Sequence, residues 1–157
     1  MSESGCQRDV ACQNLEVAGL AKIESAHVKR PIVALTTTRT VLASESGTVF
    51  TLNSAGGAYT VTLPTVANGS GCHFTFFVAE NTPTQDITIT SGAANIYGNL
   101  MIQSDTNEDN RVACAGVTSV LVDQVSLLGD SLEFFCDGTS YFVIGRGAFQ
   151  GAFTTAA

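Results

Sequence analysis

Residues 48–63 read TVFTLNSAGGAYTVTL and are closed by Pro64; residues 131–145 read SLEFFCDGTSYFVIG. In each, a strand-like run meets a turn cluster, Ser54-Ala55-Gly56-Gly57 in the first and Asp137-Gly138-Thr139-Ser140 in the second. A second strand-like run follows. Gly, Asn and Asp reach the positive φ values that tight hairpins need, so both stretches read as β-hairpins. Glu133 is the one charge in their strands, and they hold no nucleophile–base pair. Segments of this kind form a packing unit, and function is then expected in its surfaces.

Outward from these stretches the chain from Pro31 onward reads as β throughout. Strands are predicted near 32–36, 40–43, 48–53, 58–63, 72–79, 86–90, 95–102, 111–115, 119–124, 131–136 and 141–145. Alternation is clearest where Tyr59, Val61 and Leu63 interleave with Thr60 and Thr62, and where Cys72, Phe74, Phe76 and Val78 interleave with His73 and Thr75. Many short strands punctuated by Gly, Asn and Ser predict an all-β fold, an antiparallel β-sandwich with a jelly-roll-like strand count. The tail 147–157 is small and weakly apolar, and reads as an added edge strand or a loose end.

Residues 1–30 lack this alternation and form a separate N-terminal arm, leaving 31–157 as the sandwich domain. Val10, Leu15, Val17, Leu20 and Ile23 are too apolar for a typical disordered tail, which favours an extended arm ordered on contact with a neighbour. Its N-terminus shows no basic region followed by an apolar run, so no secretory signal is expected. Cys6, Cys12, Cys72, Cys114 and Cys136 contain no C-x-x-C and are odd in number. Read in a reducing compartment, the last three are small buried hydrophobes.

Charged residues make up 13% of the chain and its mean hydropathy is positive, while no stretch reaches the ~18 apolar residues of a membrane helix. Burial against other protein explains this better than a membrane does. The net charge of −7 is unevenly spread. Residues 1–40 carry five cations and four carboxylates, a balance of 5 − 4 = +1; residues 41–157 carry Arg111 and Arg146 against ten carboxylates, a balance of 2 − 10 = −8. An acidic body argues against nucleic acid as a partner. Arg8, Lys22, Lys29 and Arg30 place the cationic contacts in the arm, beside its apolar anchors.

Candidate chemistry is sparse. Asp105, Asn107 and Asp109 match the first three ligand positions of an EF-hand loop, but Asn110 replaces the turn glycine and Gly116 stands where the bidentate Glu belongs. A solvated loop is the better reading. His27 and His73 have no metal-ligand spacing, and Gly69-Ser70-Gly71 is not a nucleophile elbow. Asp86, Asp130 and Asp137 open strands or turns, where Asp caps the backbone. Neither an enzyme nor a cofactor is expected.

The succession Ser44-Glu45-Ser46-Gly47-Thr48-Val49-Phe50-Thr51-Leu52-Asn53, then 59–64 (YTVTLP) and 73–78 (HFTFFV), resembles the capsid decoration (cement) proteins of tailed bacteriophages. So does 129–139 (GDSLEFFCDGT). The resemblance runs from about Arg30 to the C-terminus. It implies a small β-sandwich, a homotrimer, that sits on the outside of an assembled capsid with the major capsid protein as its partner. The contact residues expected there are Arg8, Val10, Leu15, Val17, Leu20, Lys22, Ile23, Lys29 and Arg30. The alternative is a receptor- or glycan-binding head of a phage fibre, which uses similar β-modules. The lack of Trp, and tyrosines confined to strand runs, count against it.

Overall fold

The computed structural model of the chain describes residues 29–103 and 110–157. Its first six strands wind back and forth between two sheets. β1 (Ile32–Leu35), β3 (Val49–Leu52) and β5 (His73–Val78) stack in parallel in one sheet. β2 (Arg39–Thr40), β4 (Tyr59–Thr62) and β6 (Ile87–Thr90) stack in parallel in the other. The chain then forms the antiparallel pair β7 (Ile96–Ile102) and β8 (Asn110–Val117) at the far side of the first sheet. β9 (Ser119–Val122) joins the second sheet, and the hairpin β10 (Ser131–Cys136) and β11 (Tyr141–Gly147) fills the gap in the first. β12 (Phe153–Ala156) closes the second sheet as its edge strand. The orders are β1-β3-β5-β10-β11-β7-β8 and β12-β9-β6-β4-β2.

The expected all-β sandwich is therefore what the chain forms, but its sheets are mixed. Among the described residues five of the ten strand pairings are parallel. The purely antiparallel, jelly-roll-like arrangement is corrected for a definite reason. Each of the first five strands is followed by a crossing to the opposite sheet, so successors within one sheet run in the same direction. The stretch 48–63 shows how this happens. β3 already has β1 and β5 on its two edges, so β4 cannot pair with it and lies in the facing sheet.

The segment between them is an arch, held by contacts distant in sequence. The buried Ser54 hydroxyl accepts the N–H groups of Thr84 at 3.0 Å and Gln85 at 3.2 Å. The Thr84 hydroxyl donates to the Ser54 carbonyl at 3.2 Å, and Glu80 accepts the Ser54 N–H. The stretch 131–145 is the expected hairpin, paired from Ser131 opposite Arg146 to Cys136 opposite Tyr141. In its turn the Asp137 carboxylate accepts the N–H groups of Thr139 and Ser140, each at 2.7 Å.

The core lies between the sheets. Phe50 stacks on Phe76 with centroids 5.3 Å apart, Phe76 meets Phe134 edge-on at 5.8 Å, and Phe134 meets Tyr141 edge-on at 6.5 Å. Val61, Ile87, Ile89, Val120, Val122 and Phe153 face them from the five-stranded sheet, all fully buried. Burying side chains of this size stabilises by about 1.5–3 kcal/mol each, which makes this slab the main source of stability. It leaves the outer faces of two firmly supported sheets as the available surfaces.

Candidate functional site: the outer face of the seven-stranded sheet

Alternation along β5, β10, β11 and β7 sends every second side chain away from the core. The strand register sorts these into three rows across the sheet. One runs His73, Phe135, Phe142, Tyr97, Ala115; the next runs Thr75, Glu133, Ile144, Asn99, Ala113; the third runs Phe77, Ser131, Arg146, Met101, Arg111. Six of these are large apolar residues left exposed: Phe77, Tyr97, Met101, Phe135, Phe142 and Ile144. Ile144 is the most open, with 61% of its surface exposed, and stands in the middle row. Isolated exposed apolar residues are ordinary, whereas a contiguous set on one rigid face marks a contact surface.

The charges on this face are also distinctive. Arg111 and Arg146, the only cations after Thr40, both stand here, on either side of Met101 in one row. Glu133 is the carboxylate on these strands, and its Oε2 lies 3.7 Å from His73 Nε2. The half-buried His73 thus sits on the sheet surface, as its position opposite to Phe74 and Phe76 in the alternation implies. Two depressions of about 280 and 270 Å³ flank Glu133 and Ile144. They are shallow hollows between side chains, at or below the small end of ligand pockets. A wider one of about 690 Å³ lies between residues 40–44 and 62–68 and is lined by no ionisable side chain.

The described thiols and two of the three phenols are locked elsewhere. Cys72, Cys114 and Cys136 are free thiols and buried, as the sequence indicates. Burial pushes Cys114 up to about 11, and burial also raises Cys136. Burial pushes Tyr59 up to about 12 and Tyr141 well above the usual phenol range. The Tyr141 hydroxyl donates to the Pro64 carbonyl at 2.7 Å. Asp130 accepts the N–H groups of Leu127 and Ala148, and Asp137 caps its own turn, so both act on backbone as expected; Asp86 departs from that expectation, its buried Oδ1 having no hydrogen-bond partner. Hydrogen bonds from the Ser140 and Thr139 N–H groups hold the Asp137 carboxyl below its usual range. Among the described residues no three His, Cys, Asp or Glu side chains come together as a metal site. No helix among them is long and apolar enough to cross a membrane.

Of the contact residues expected from the sequence, Lys29 and Arg30 are exposed and lead directly into β1, an edge of the seven-stranded sheet. Arg8, Val10, Leu15, Val17, Leu20, Lys22 and Ile23 lie outside the described residues, as does the loop carrying Asp105, Asn107 and Asp109. The outer-face cluster is the feature that sequence reading missed. Its signal was present: HFTFFV, SLEFFC and YFVIG carry apolar residues at both parities of the alternation. Strands covered on both faces read that way. No family model matches the chain, and no curated protein or solved structure matches it either.

Proposed function

We propose that this chain is a structural virion protein, a decoration protein that binds the outside of an assembled phage capsid as a homotrimer and stabilises it. The observation that carries the reading is the outer face of the seven-stranded sheet, where exposed apolar side chains are gathered on a rigid support while, among the described residues, the thiols and the phenols other than Tyr97 are buried. Such a surface serves contact with protein better than it serves chemistry. The resemblance of residues 44–53, 59–64, 73–78 and 129–139 to capsid cement proteins supplies the partner, the major capsid protein. Assembly in the host cytoplasm and residence on the virion surface follow from that partner. The mechanism is mass action. A subunit that binds only the assembled lattice stabilises it by its binding free energy, about 2.7 kcal/mol per site at a free concentration 100 times the dissociation constant.

The test is addition of the purified protein to capsids that lack it. Binding at hundreds of copies with a higher capsid melting temperature is the expected result; no binding, or a handful of copies, would remove the proposal. One observation favours a second reading, the glycan-binding head. Tyr97 is exposed on the same face as Asn99 and Glu133, and sugars are commonly held by an aromatic ring beside amides and carboxylates. Capture by glycan arrays, abolished by Tyr97→Ala, would support that alternative.

A further inference from the structure

We propose that the outer face of the seven-stranded sheet is the surface through which copies of this chain pack against one another, with Ile144 at its centre. This rests on the homotrimer of the proposed function and names the contact that forms it.

The first argument is area. The six exposed apolar residues leave on the order of 100 Å² each in water, so the apolar part of the face approaches about 600 Å². That is at the upper limit of what monomers expose. With Ser131, Glu133, Asn99 and Arg146 between them, the face nears the ~800 Å² that each partner contributes to a stable interface. The aromatic side chains are the type that anchors such contacts.

The second argument is charge. Two copies of a chain with net charge −7 repel over most of their surfaces. On this face the balance is reversed, with Arg111 and Arg146 against Glu133. Arg146 follows Ile144 by two residues on β11, and Glu133 stands directly opposite Ile144 on β10. A cation and an anion thus flank one apolar anchor, so the Arg146 of one copy can meet the Glu133 of the next as the Ile144 side chains close together. Acidic bodies can approach through this face without the repulsion that their carboxylate-bearing surfaces impose.

The experiment is sedimentation and light scattering on the full chain and on Ile144→Asp, with Met101→Asp as a second variant from another strand and Thr154→Asp on β12 as control. Both outer-face residues are exposed, so the fold should survive, and circular dichroism with thermal melting checks that it does. The wild type and T154D should show a mass near three chains, and I144D and M101D a mass near one. A folded I144D and a folded M101D that remain oligomeric would overturn the proposal, as would a wild type that is monomeric at every concentration tested. In the monomeric case, loss of capsid binding by I144D would assign the face to the capsid partner. The function is tested separately. Oligomers that depend on Ile144 but do not bind capsids would leave this interface standing and remove the decoration reading.

Discussion

The Tyr59 hydroxyl donates a hydrogen bond to the Leu35 carbonyl at 2.8 Å and accepts one from the Asn53 N–H at 3.2 Å. Tyr59 belongs to the five-stranded sheet, while Leu35 and Asn53 lie at the ends of neighbouring strands in the other. One phenol therefore fixes where two successive turns of the winding leave the sheet. Tyr59→Phe removes the donor for Leu35, although the Asn53 N–H still reaches that carbonyl at 3.0 Å. A loss of about 1–2 kcal/mol is expected, read from urea denaturation with an unchanged m-value.

The same phenol makes alkaline stability testable. Burial pushes Tyr59 up to about 12, above the ~10 of an exposed tyrosine. The neutral form is the one the fold prefers. Its contribution is thus complete below pH ~10 and is lost as pH rises from there through about 12. Melting temperatures of the wild type and Y59F should converge over that interval. A constant difference up to pH 12 would show that the phenol ionises as easily in the folded chain as in the unfolded one.

Among the described glycines, Gly98 is the least open to substitution. Its φ is +144°, and a Cβ there would stand 2.0 Å from the Val143 carbonyl oxygen on the adjacent strand. No side-chain rotation relieves a clash with backbone, so β7 would have to leave β11. Gly98→Ala should cost at least about 3 kcal/mol and reduce soluble yield sharply. Expression and thermal melting of this variant check it; a shift of a degree or two would mean that the two strands part easily.

The arch at Ser54 and the hairpin at Asp137 show what sequence made legible and what it did not. Both stretches carry strand, turn cluster and strand, and local chemistry predicts a reversal in both. The existence and position of nearly every strand followed from alternation; the burial of Cys72, Cys114 and Cys136 and the caps at Asp130 and Asp137 were legible as well, whereas the cap expected at Asp86 is not made. Whether a reversal stays within a sheet or crosses to the facing one depends on which strand edges are free. That is decided by β1 and β5, which flank β3. Asp137 closes its turn with neighbours two and three residues away, so its hairpin was readable. Ser54 closes its turn with Thr84 and Gln85, which no local pattern announces. The apolar positions of the outer face were signalled at both parities, but their grouping was hidden likewise: Phe142 meets Tyr97 only once β11 pairs with β7, and Phe77 joins their face only once β10 pairs with β5. Ser54→Ala should therefore behave as a core substitution. It leaves two N–H groups without their acceptor, at a cost of about 2–3 kcal/mol read in the denaturation midpoint.

Thiol reactivity offers a probe of the core. Burial pushes Cys114 up to about 11, and Cys72 and Cys136 are buried with it. At pH 8 only about one Cys114 in a thousand carries the reactive thiolate, and access is closed as well. Mass mapping after brief iodoacetamide treatment should find residues 72, 114 and 136 unmodified in the native protein and modified in urea. Rapid native labelling at Cys114 would mean that β7 and β8 open readily.

The arm, residues 1–28, is expected to govern attachment to the capsid. The motive is the charge split of +1 in residues 1–40 against −8 in residues 41–157, together with Val10, Leu15, Val17, Leu20 and Ile23 outside any β pattern. Among the described residues the first strand begins at Ile32, so deleting residues 1–28 should leave the β-rich spectrum and the melting transition largely intact. Oligomerisation should also survive, because the interface assigned to Ile144 lies on the sandwich. Binding to capsids that lack the protein should fall at least tenfold with the apolar anchors gone. Added salt should weaken wild-type binding only modestly, since exposed ion pairs contribute about 0–1 kcal/mol each and apolar contacts are not screened. A truncated protein that decorates capsids as well as the full chain would place the capsid contact on the sandwich, beyond the face that copies share.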